Sequence, residues 1–321
     1  LVDVGLSSVV SRSVFEHRSV VLAEDSVDLS AGLDAVAAGD GLSPGVVSGV
    51  VSVEGARSVF VFPGAGAKWS GMAARLWAES VVFAESMARC EAAFEGLVDW
   101  RLSDVIAQVP GAVSLEREDV AQPASFAVMV SLAALWRSLG VVPDAVVGHS
   151  QGEIAAAVVA GGLSLEDGAR AVVFRSRVAE EVLSGGGIAS VRLSRAEVEE
   201  RLAGGGGGLS VAVVNAPSST VVAGELGELE RFVAACEAEG VRARRLEFGY
   251  ASHSVFVEPA RGRLLEALAD VRPVSGEIPF YSTVEAGVVD TASLDAEYWF
   301  GNLRRPVRFQ ETVEQLLADG F

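Results

Sequence analysis

Pro143-Asp144-Ala145-Val146-Val147-Gly148-His149-Ser150-Gln151-Gly152-Glu153 is the stretch whose reading decides the fold. Pro143 to Val147 is a short apolar run, the pattern of a buried strand. Gly148 to Gly152 follow at once. Glu153 to Ala160 is small and helix-forming, and Gly161-Gly162 ends it. Strand, Gly-x-Ser-x-Gly and helix in that order form a nucleophile elbow. The sharp turn pushes the Ser150 hydroxyl into the open, and Gly148 and Gly152 leave room for close backbone packing. The N–H of Gln151 then sits at a helix N-terminus, where the dipole favours an oxyanion.

Upstream, Ser58-Val59-Phe60-Val61-Phe62 reads as a strand ending in the tight turn Pro63-Gly64-Ala65-Gly66. Helical patterns fill most of 70–108 and 121–139, and residues 1–55 alternate short helix and strand patterns. Downstream, Ser164-Leu165-Glu166-Asp167 is a capping pattern with Ser164 as N-cap. That helix runs to about Leu183, and Ser184-Gly185-Gly186-Gly187 is expected to end it. From 188 the period changes. Ile188–Leu193, Leu209–Val214, Thr220–Ala223 and Val241–Phe248 read as strands. Arg195–Leu202 and Glu225–Gly240 read as helices. The order β-α-β-β-α-β is the split ferredoxin-like unit. The Gly204–Gly208 run reads as a connector, since no Lys-Ser/Thr follows to make it a phosphate loop. A large α/β body interrupted by a small α+β insert is therefore expected.

The chain has 321 residues, half of them hydrophobic, with 25 basic and 43 acidic side chains and a net charge of −18. That balance argues against nucleic acid or an anionic membrane surface as partner. Two cysteines, Cys90 and Cys236, lie far apart with no Cys/His cluster, so no structural zinc is expected and a reducing cytoplasm fits. No run of about 18 uninterrupted apolar residues suggests a membrane span. No leader pattern opens the chain, and its Leu1 start reads as a piece of a longer polypeptide.

Ser150 needs a base, and only His17, His149 and His253 are available. His17 reads as a surface residue. His149 adjoins Ser150 and reads as pocket wall. His253, in Tyr250-Ala251-Ser252-His253-Ser254, falls where the insert returns to the body, and elimination makes it the general base. No third triad member is obvious, and a backbone carbonyl could orient the imidazole instead. Val172, Arg175, Ala179 and Val182 share one face of the helix after Ser164. Arg175 on that apolar stripe has two readings: an arginine snorkelling at the helix edge, or a two-pronged receptor for a carboxylate.

Phe62-Pro63-Gly64-x-Gly66, Gly148-His149-Ser150-Gln151-Gly152-Glu153, Arg175-Ser176-Arg177, Tyr250-Ala251-Ser252-His253 and Tyr298-Trp299-Phe300-Gly301-Asn302-Leu303 occur in that order. Together they resemble the acyltransferase domain of modular type I polyketide synthases, in the malonyl-CoA:acyl carrier protein transacylase superfamily. The resemblance spans essentially the whole chain. It implies an α/β-hydrolase-like large subdomain with an inserted ferredoxin-like small subdomain. The boundaries expected are a ketosynthase-to-acyltransferase linker over 1–55, the large subdomain over 56–186, the small one over 187–248, and the return with the C-terminal segment over 249–321. It implies a Ser150–His253 ping-pong transfer, with Gln151 and Ala65 supplying oxyanion N–H groups. Arg175 becomes the receptor for the extender unit's carboxylate, and Asn302 orients His253 through its backbone carbonyl. His149, Tyr250, Ala251, Ser252 and Gln122 are expected in the substrate pocket.

The implied donor is methylmalonyl-CoA. The Tyr-Ala-Ser-His form resembles methylmalonyl-selective members, and small Ala251 and Ser252 would leave space for a methyl branch. Glu118-Asp119-Val120-Ala121-Gln122 resembles the same form, apart from Ala121, where Val is usual. The acceptor is the phosphopantetheine thiol of an acyl carrier protein, the neighbour is a ketosynthase, and no tightly bound cofactor or metal is needed. Ala65 departs from the family's usual Gln. That leaves a malonyl or larger extender unit as an alternative, and it also motivates a non-catalytic scaffold as a rival. A serine esterase or thioesterase is a further rival, although that class commonly keeps its histidine near the C-terminus. Arg304, Arg305 and Arg308 form a basic cluster that reads either as a carrier-protein dock or as structural.

Overall fold

The computed structural model describes residues 1–40, 43–51, 55–182, 186–204, 207–246 and 250–321. The chain divides into two compact units, Leu1–Ala56 and Arg57–Phe321. The first holds α1 (Val2–Val10), β1 (His17–Val21), α2 (Ser26–Ala38) and β2 (Val46–Val50). β1 and β2 pair antiparallel from His17↔Val50 to Val21↔Val46. Asp25 caps α2, accepting the N–H groups of Val27 and Asp28, and Gly39 closes it in the left-handed region, as cap chemistry prescribes.

The second unit opens with β3 (Val59–Phe62), α3 (Ala74–Glu79), α4 (Val81–Phe94), α5 (Leu102–Ala107), α6 (Glu118–Ser138), β4 (Ala145–Gly148), α7 (Gly152–Val159) and α8 (Leu165–Val182). The insert is β5 (Gly186–Val191), α9 (Arg195–Ala203), β6 (Leu209–Ala216), β7 (Ser219–Glu225), α10 (Leu226–Ala238) and β8 (Ala243–Arg245). The chain then returns through α11 (Arg261–Ala267), β9 (Phe280–Ser282), β10 (Gly287–Val289), α12 (Ala296–Arg304) and α13 (Phe309–Ala318).

The large sheet has the order β10-β9-β4-β3. β3, β4 and β9 run parallel, and β10 pairs antiparallel with β9. β4 is its buried centre. Ala145, Val146 and Val147 are wholly inaccessible, because a parallel strand covered on both faces must be apolar throughout. Val146, Phe62 and Phe280 pack into the main core with α4, α6, α7 and α8. Ala145, Val147 and Tyr281 face Leu316 of α13. By length and composition α6 could cross a membrane, but two thirds of its apolar window is buried inside this core.

The insert's sheet has the order β6-β7-β5-β8, antiparallel throughout, which is the ferredoxin-like arrangement. One face, with Ala189, Val191, Val211 and Val222, packs under α9 and α10. The other, with Ala212, Val213, Val221 and Ala223, meets Val307 and Phe309 from the large body. Ser194 and Glu197 form a complete capping box on α9.

The start of the insert differs from the sequence reading. β5 begins at Gly186, whereas the period placed it at Ile188. Gly186 and Gly187 are ladder residues opposite Glu225 and Gly224. A Cβ on Gly186 would come 2.5 Å from the Ala251 methyl, so that glycine permits close approach where a helix stop was expected. Leu183 to Gly185, the rest of that expected stop, lie outside the described residues, as do Gly205-Gly206 and the Glu247-Phe248 end of the last strand. Ser164 does cap α8, accepting the N–H of Asp167 at 3.0 Å.

Candidate active site

β4 pairs with β3 through Gly148↔Phe62, so the Pro63–Gly66 turn lands beside the elbow. Ser150 has φ +54°, a left-handed conformation that costs a non-glycine residue roughly 1–2 kcal/mol. The surroundings hold it there. His149 N–H donates to Phe62 O at 2.8 Å, and Gly152 N–H to His149 O at 3.0 Å. Asn302 Nδ2 donates to Ser150 O at 3.1 Å. A Cβ on Gly148 would come 2.1 Å from Glu153 N, and one on Gly152 2.2 Å from Phe62 O. Both glycines are therefore demanded by backbone contact.

The turn aims Ser150 Oγ at His253 Nε2, 2.9 Å away. His253 Nδ1 lies 2.9 Å from the carbonyl oxygen of Arg305. A carbonyl only accepts, so Nδ1 carries the proton and Nε2 presents its lone pair to the serine. The sequence reading assigned this orienting carbonyl to Asn302. The chain turns out of α12 three residues later, and it is the Arg305 carbonyl that reaches the ring. Burial, the Arg175 charge and, less, His149 depress the His253 pKa to about 3.

Arg175 is buried at 2% exposure. It rises from α8 to donate from Nη2 to Ser150 Oγ at 2.9 Å, from Nη1 to Gln122 Oε1 at 3.1 Å, and from Nε to Asn302 Oδ1 at 3.2 Å. Every one of these acceptors is neutral. No acidic side chain among the described residues forms an ion pair with it; Glu153 and Glu118 act only at a distance, and burial lowers its pKa. Of the rest of its stripe, Val172 is buried, while the side chains of Ala179 and Val182 lie outside what is described. A charge this deep is no snorkelling arginine.

Behind it stands Glu153, also fully buried, with its pKa raised by desolvation. It accepts from Thr283 Oγ1 at 2.7 Å, Tyr298 OH at 2.8 Å and Asn302 Nδ2 at 2.9 Å. Asn302 thus joins Glu153, the Ser150 backbone and the guanidinium. Gln122 likewise joins Arg175 to the Tyr250 hydroxyl, donating from Nε2 at 2.9 Å.

These groups open onto a cavity of 510 Å³ between the large body and the small sheet. Ala65, Gln122, His149, Ser150, Gln151, Arg175, Tyr250, Ser252 and His253 line it, with Ile188, Val213, Val221 and Leu246 from the small sheet. Gln151 opens α7, so its N–H has no intrahelical acceptor. His149 turns away from Ser150: its Nε2 lies 2.9 Å from Asn215 Oδ1, and its ring packs on Phe309 at 5.5 Å. Ala251 is not in the lining. It is fully buried against Gly186, on the inner side of the turn that leads into His253. His17 is exposed on β1, in the first unit.

Sequence reasoning missed three participants. Arg305 acts through a backbone carbonyl, which leaves no side-chain signature. Glu153 belongs to the elbow motif and Asn215 directly follows the Leu209–Val214 strand, but nothing in spacing says which neighbour either will find. Each arginine of the basic cluster has an acidic partner. Arg304 pairs with Glu258 at 2.6 Å and Arg305 with Glu285 at 2.5 Å, while Arg308 pairs with Glu311.

The chain matches the family model described as an acyl transferase domain over residues 59–321. It is 52% identical over 319 residues to the spectinabilin polyketide synthase system protein NorC of Streptomyces orinoci, covering 99% of this chain and 14% of that protein. The chain thus spans only a small part of that much longer relative. Its backbone superposes with a TM-score of 0.95 on the acyltransferase domain from module 8 of the salinomycin polyketide synthase, at 48% identity, covering 99% of this chain and 75% of that one. The malonyl CoA-acyl carrier protein transacylase of Coxiella burnetii superposes with a TM-score of 0.76 at 27% identity, covering 83% and 85%. The family match over residues 59–321 and the backbone agreement across nearly the whole chain settle the family: this chain belongs to the acyltransferase-domain family of modular polyketide synthases.

Proposed function

We propose that this domain loads an extender unit, methylmalonyl, from CoA onto the phosphopantetheine thiol of an acyl carrier protein through an acyl-enzyme at Ser150. The carrying observation is Arg175: a buried guanidinium with no acidic partner among the described residues, 2.9 Å from the nucleophile's oxygen. A buried unpaired cation is costly, and a carboxylate on the substrate would compensate it. Its contact with Ser150 Oγ favours a carboxylate lying only one carbon from the thioester carbonyl, which describes a malonyl-type acyl group.

His253 Nε2 takes the Ser150 proton as Oγ attacks the thioester carbonyl. The oxyanion forms between the N–H groups of Gln151 and Ala65. Because only its N–H serves, Ala65 substitutes for a longer residue there. The tetrahedral intermediate collapses, expelling CoA thiolate, which takes the proton back from His253. The carrier thiol then attacks the ester by the same route. Asn302 acts in positioning, holding the Ser150 backbone and the Arg175 guanidinium. Tyr250, Ser252 and Gln122 shape the space for the methyl branch, where one methyl is worth only about 1–3 kcal/mol of discrimination. Residues 1–55 serve as the linker from a ketosynthase in the same polypeptide, and the enzyme works in the cytoplasm without a bound cofactor.

Malonyl-, methylmalonyl- and ethylmalonyl-CoA offered together, followed by mass spectrometry of Ser150, test this reading. Predominant methylmalonyl-Ser150 that transfers to carrier protein is the expected result. Rapid release of free acid would establish a hydrolase instead. Arg175→Lys keeps the charge but loses the planar fork. It should lower kcat/KM for malonyl-type donors roughly 10–100-fold and leave acetyl-CoA nearly unaffected.

A further inference from the structure

The small sheet carries a row of arginines that the acyl-transfer site does not use. β5 and β8 are antiparallel neighbours, with Ser190 opposite Arg244. Backbone hydrogen bonds extend this ladder at both ends, from Leu246 N–H to Ile188 O at 3.0 Å and from Arg192 N–H to Arg242 O at 2.9 Å. Opposite residues share a face, and side chains alternate along a strand. Ile188 with Leu246, Ser190 with Arg244, and Arg192 with Arg242 are therefore three successive rungs on one face. The alternate residues Ala189, Val191 and Ala243 belong to the helix-covered core.

The first rung lines the cavity that holds Ser150. The last lies four residues further, about 13 Å along the strand. All three arginines are exposed, and no ion pair or side-chain hydrogen bond engages any of them among the described residues. By contrast Arg245, on the other face, pairs with Glu230 at 3.4 Å. Like charges directly opposite across a ladder are destabilising. Guarding an open sheet edge would explain charges on β8, but not Arg192, which continues the interior strand β5. In a chain with 43 acidic and 25 basic residues, three unpaired arginines leading away from the catalytic cavity point to an anionic ligand.

We propose that Arg192, Arg242 and Arg244 bind the phosphate groups at the nucleotide end of the acyl-CoA donor, with the pantetheine arm crossing the Ser190 rung to reach Ser150. The proposal rests on the reading of a CoA thioester as donor. CoA joins a diphosphate and a 3′-phosphate to its thiol through a long flexible arm, so its anionic end must lie well outside the acyl cavity. Guanidinium groups suit it through charge-assisted, two-pronged hydrogen bonds.

Titration calorimetry with 3′-phosphoadenosine 5′-diphosphate, which carries the phosphates and no thioester, tests the site directly. Binding to the wild-type chain is expected, weakened about tenfold in each of Arg192→Gln, Arg242→Gln and Arg244→Gln. The variants should also raise KM for methylmalonyl-CoA and leave KM for methylmalonyl-pantetheine unchanged. Unaltered fragment binding overturns the proposal. So does an equal loss with both thioesters, which would mark a structural role. A loss confined to transfer onto the carrier protein overturns it too, by assigning the arginines to that partner. The fragment has no acyl group, so intact fragment binding alongside failed acylation counts against the donor reading and not against this site.

Discussion

At the scale of single residues the chemistry turns on two buried groups with opposite roles. His253 must stay neutral to act as a base, and burial beside the Arg175 charge keeps it so, with a pKa near 3 against an ordinary 6.5. Two consequences follow with definite sign. Acylation should show no acidic limb near 6.5, which a pH profile of kcat/KM for Ser150 acylation checks. Between pH 6.5 and 3 the unfolded chain binds a proton at this residue that the folded chain does not. Folding stability should therefore fall as pH drops through that window, by about 1.4 kcal/mol per pH unit from this group. Denaturation at several pH values, compared with His253→Gln, isolates the effect: the variant's curve should be the flatter. Ser150 and His253 were legible in the sequence because an elbow pattern and a count of three histidines leave few choices. The orienting carbonyl of Arg305 was not, since every residue has one.

At the scale of elements, the elbow is a junction of β3, β4 and α7 that closes only because two side chains are missing. Gly152→Ala would place a methyl 2.2 Å from the Phe62 carbonyl oxygen, in a backbone contact that cannot rotate away. The strand pair must shift, at a cost at or above the 1–3 kcal/mol of ordinary overpacking. Thermal denaturation should show the loss, and Ser150 acylation should fall further than stability does, because the Gln151 N–H proposed to hold the oxyanion moves with the turn. These elements were readable because their signals are local: apolar runs, the cap at Ser164, and period changes. β5 shows the limit. Gly186-Gly187 looks like a helix stop, yet it is a strand segment admitting Ala251, and no local window contains both partners.

At the scale of the whole second unit, the cavity wall is held by hydrogen bonds that tie the small sheet to the large body at two places among the described residues. Val307 joins the edge of β6, donating to Ala212 O and accepting from Val214 N–H, both at 2.9 Å. Asn215, near the end of the same strand, meets His149 at 2.9 Å, one residue from the nucleophile. Asn215→Ala removes the second tie and leaves a buried imidazole nitrogen unpaired. Stability should fall by about 1–3 kcal/mol. Extender-unit selectivity in the competition assay should relax, because the wall formed by Val213 and Val221 is freed from the elbow. Unchanged selectivity would show that the Val307 ladder alone sets the cavity.

The sequence by itself determined the elbow, the serine and histidine that meet there, the βαββαβ order of the insert, and an arginine out of place on an apolar stripe. Each is written in spacing along the chain. Tertiary structure alone decided that Arg175 has no acidic partner among the described residues, that Asn302 serves Glu153, Ser150 and Arg175 together, that Ala251 lies outside the cavity lining, and that Arg192 stands beside Arg242. Those facts depend on where segments distant in sequence meet, and a hydrogen bond or an unpaired charge is a property of the meeting rather than of either residue.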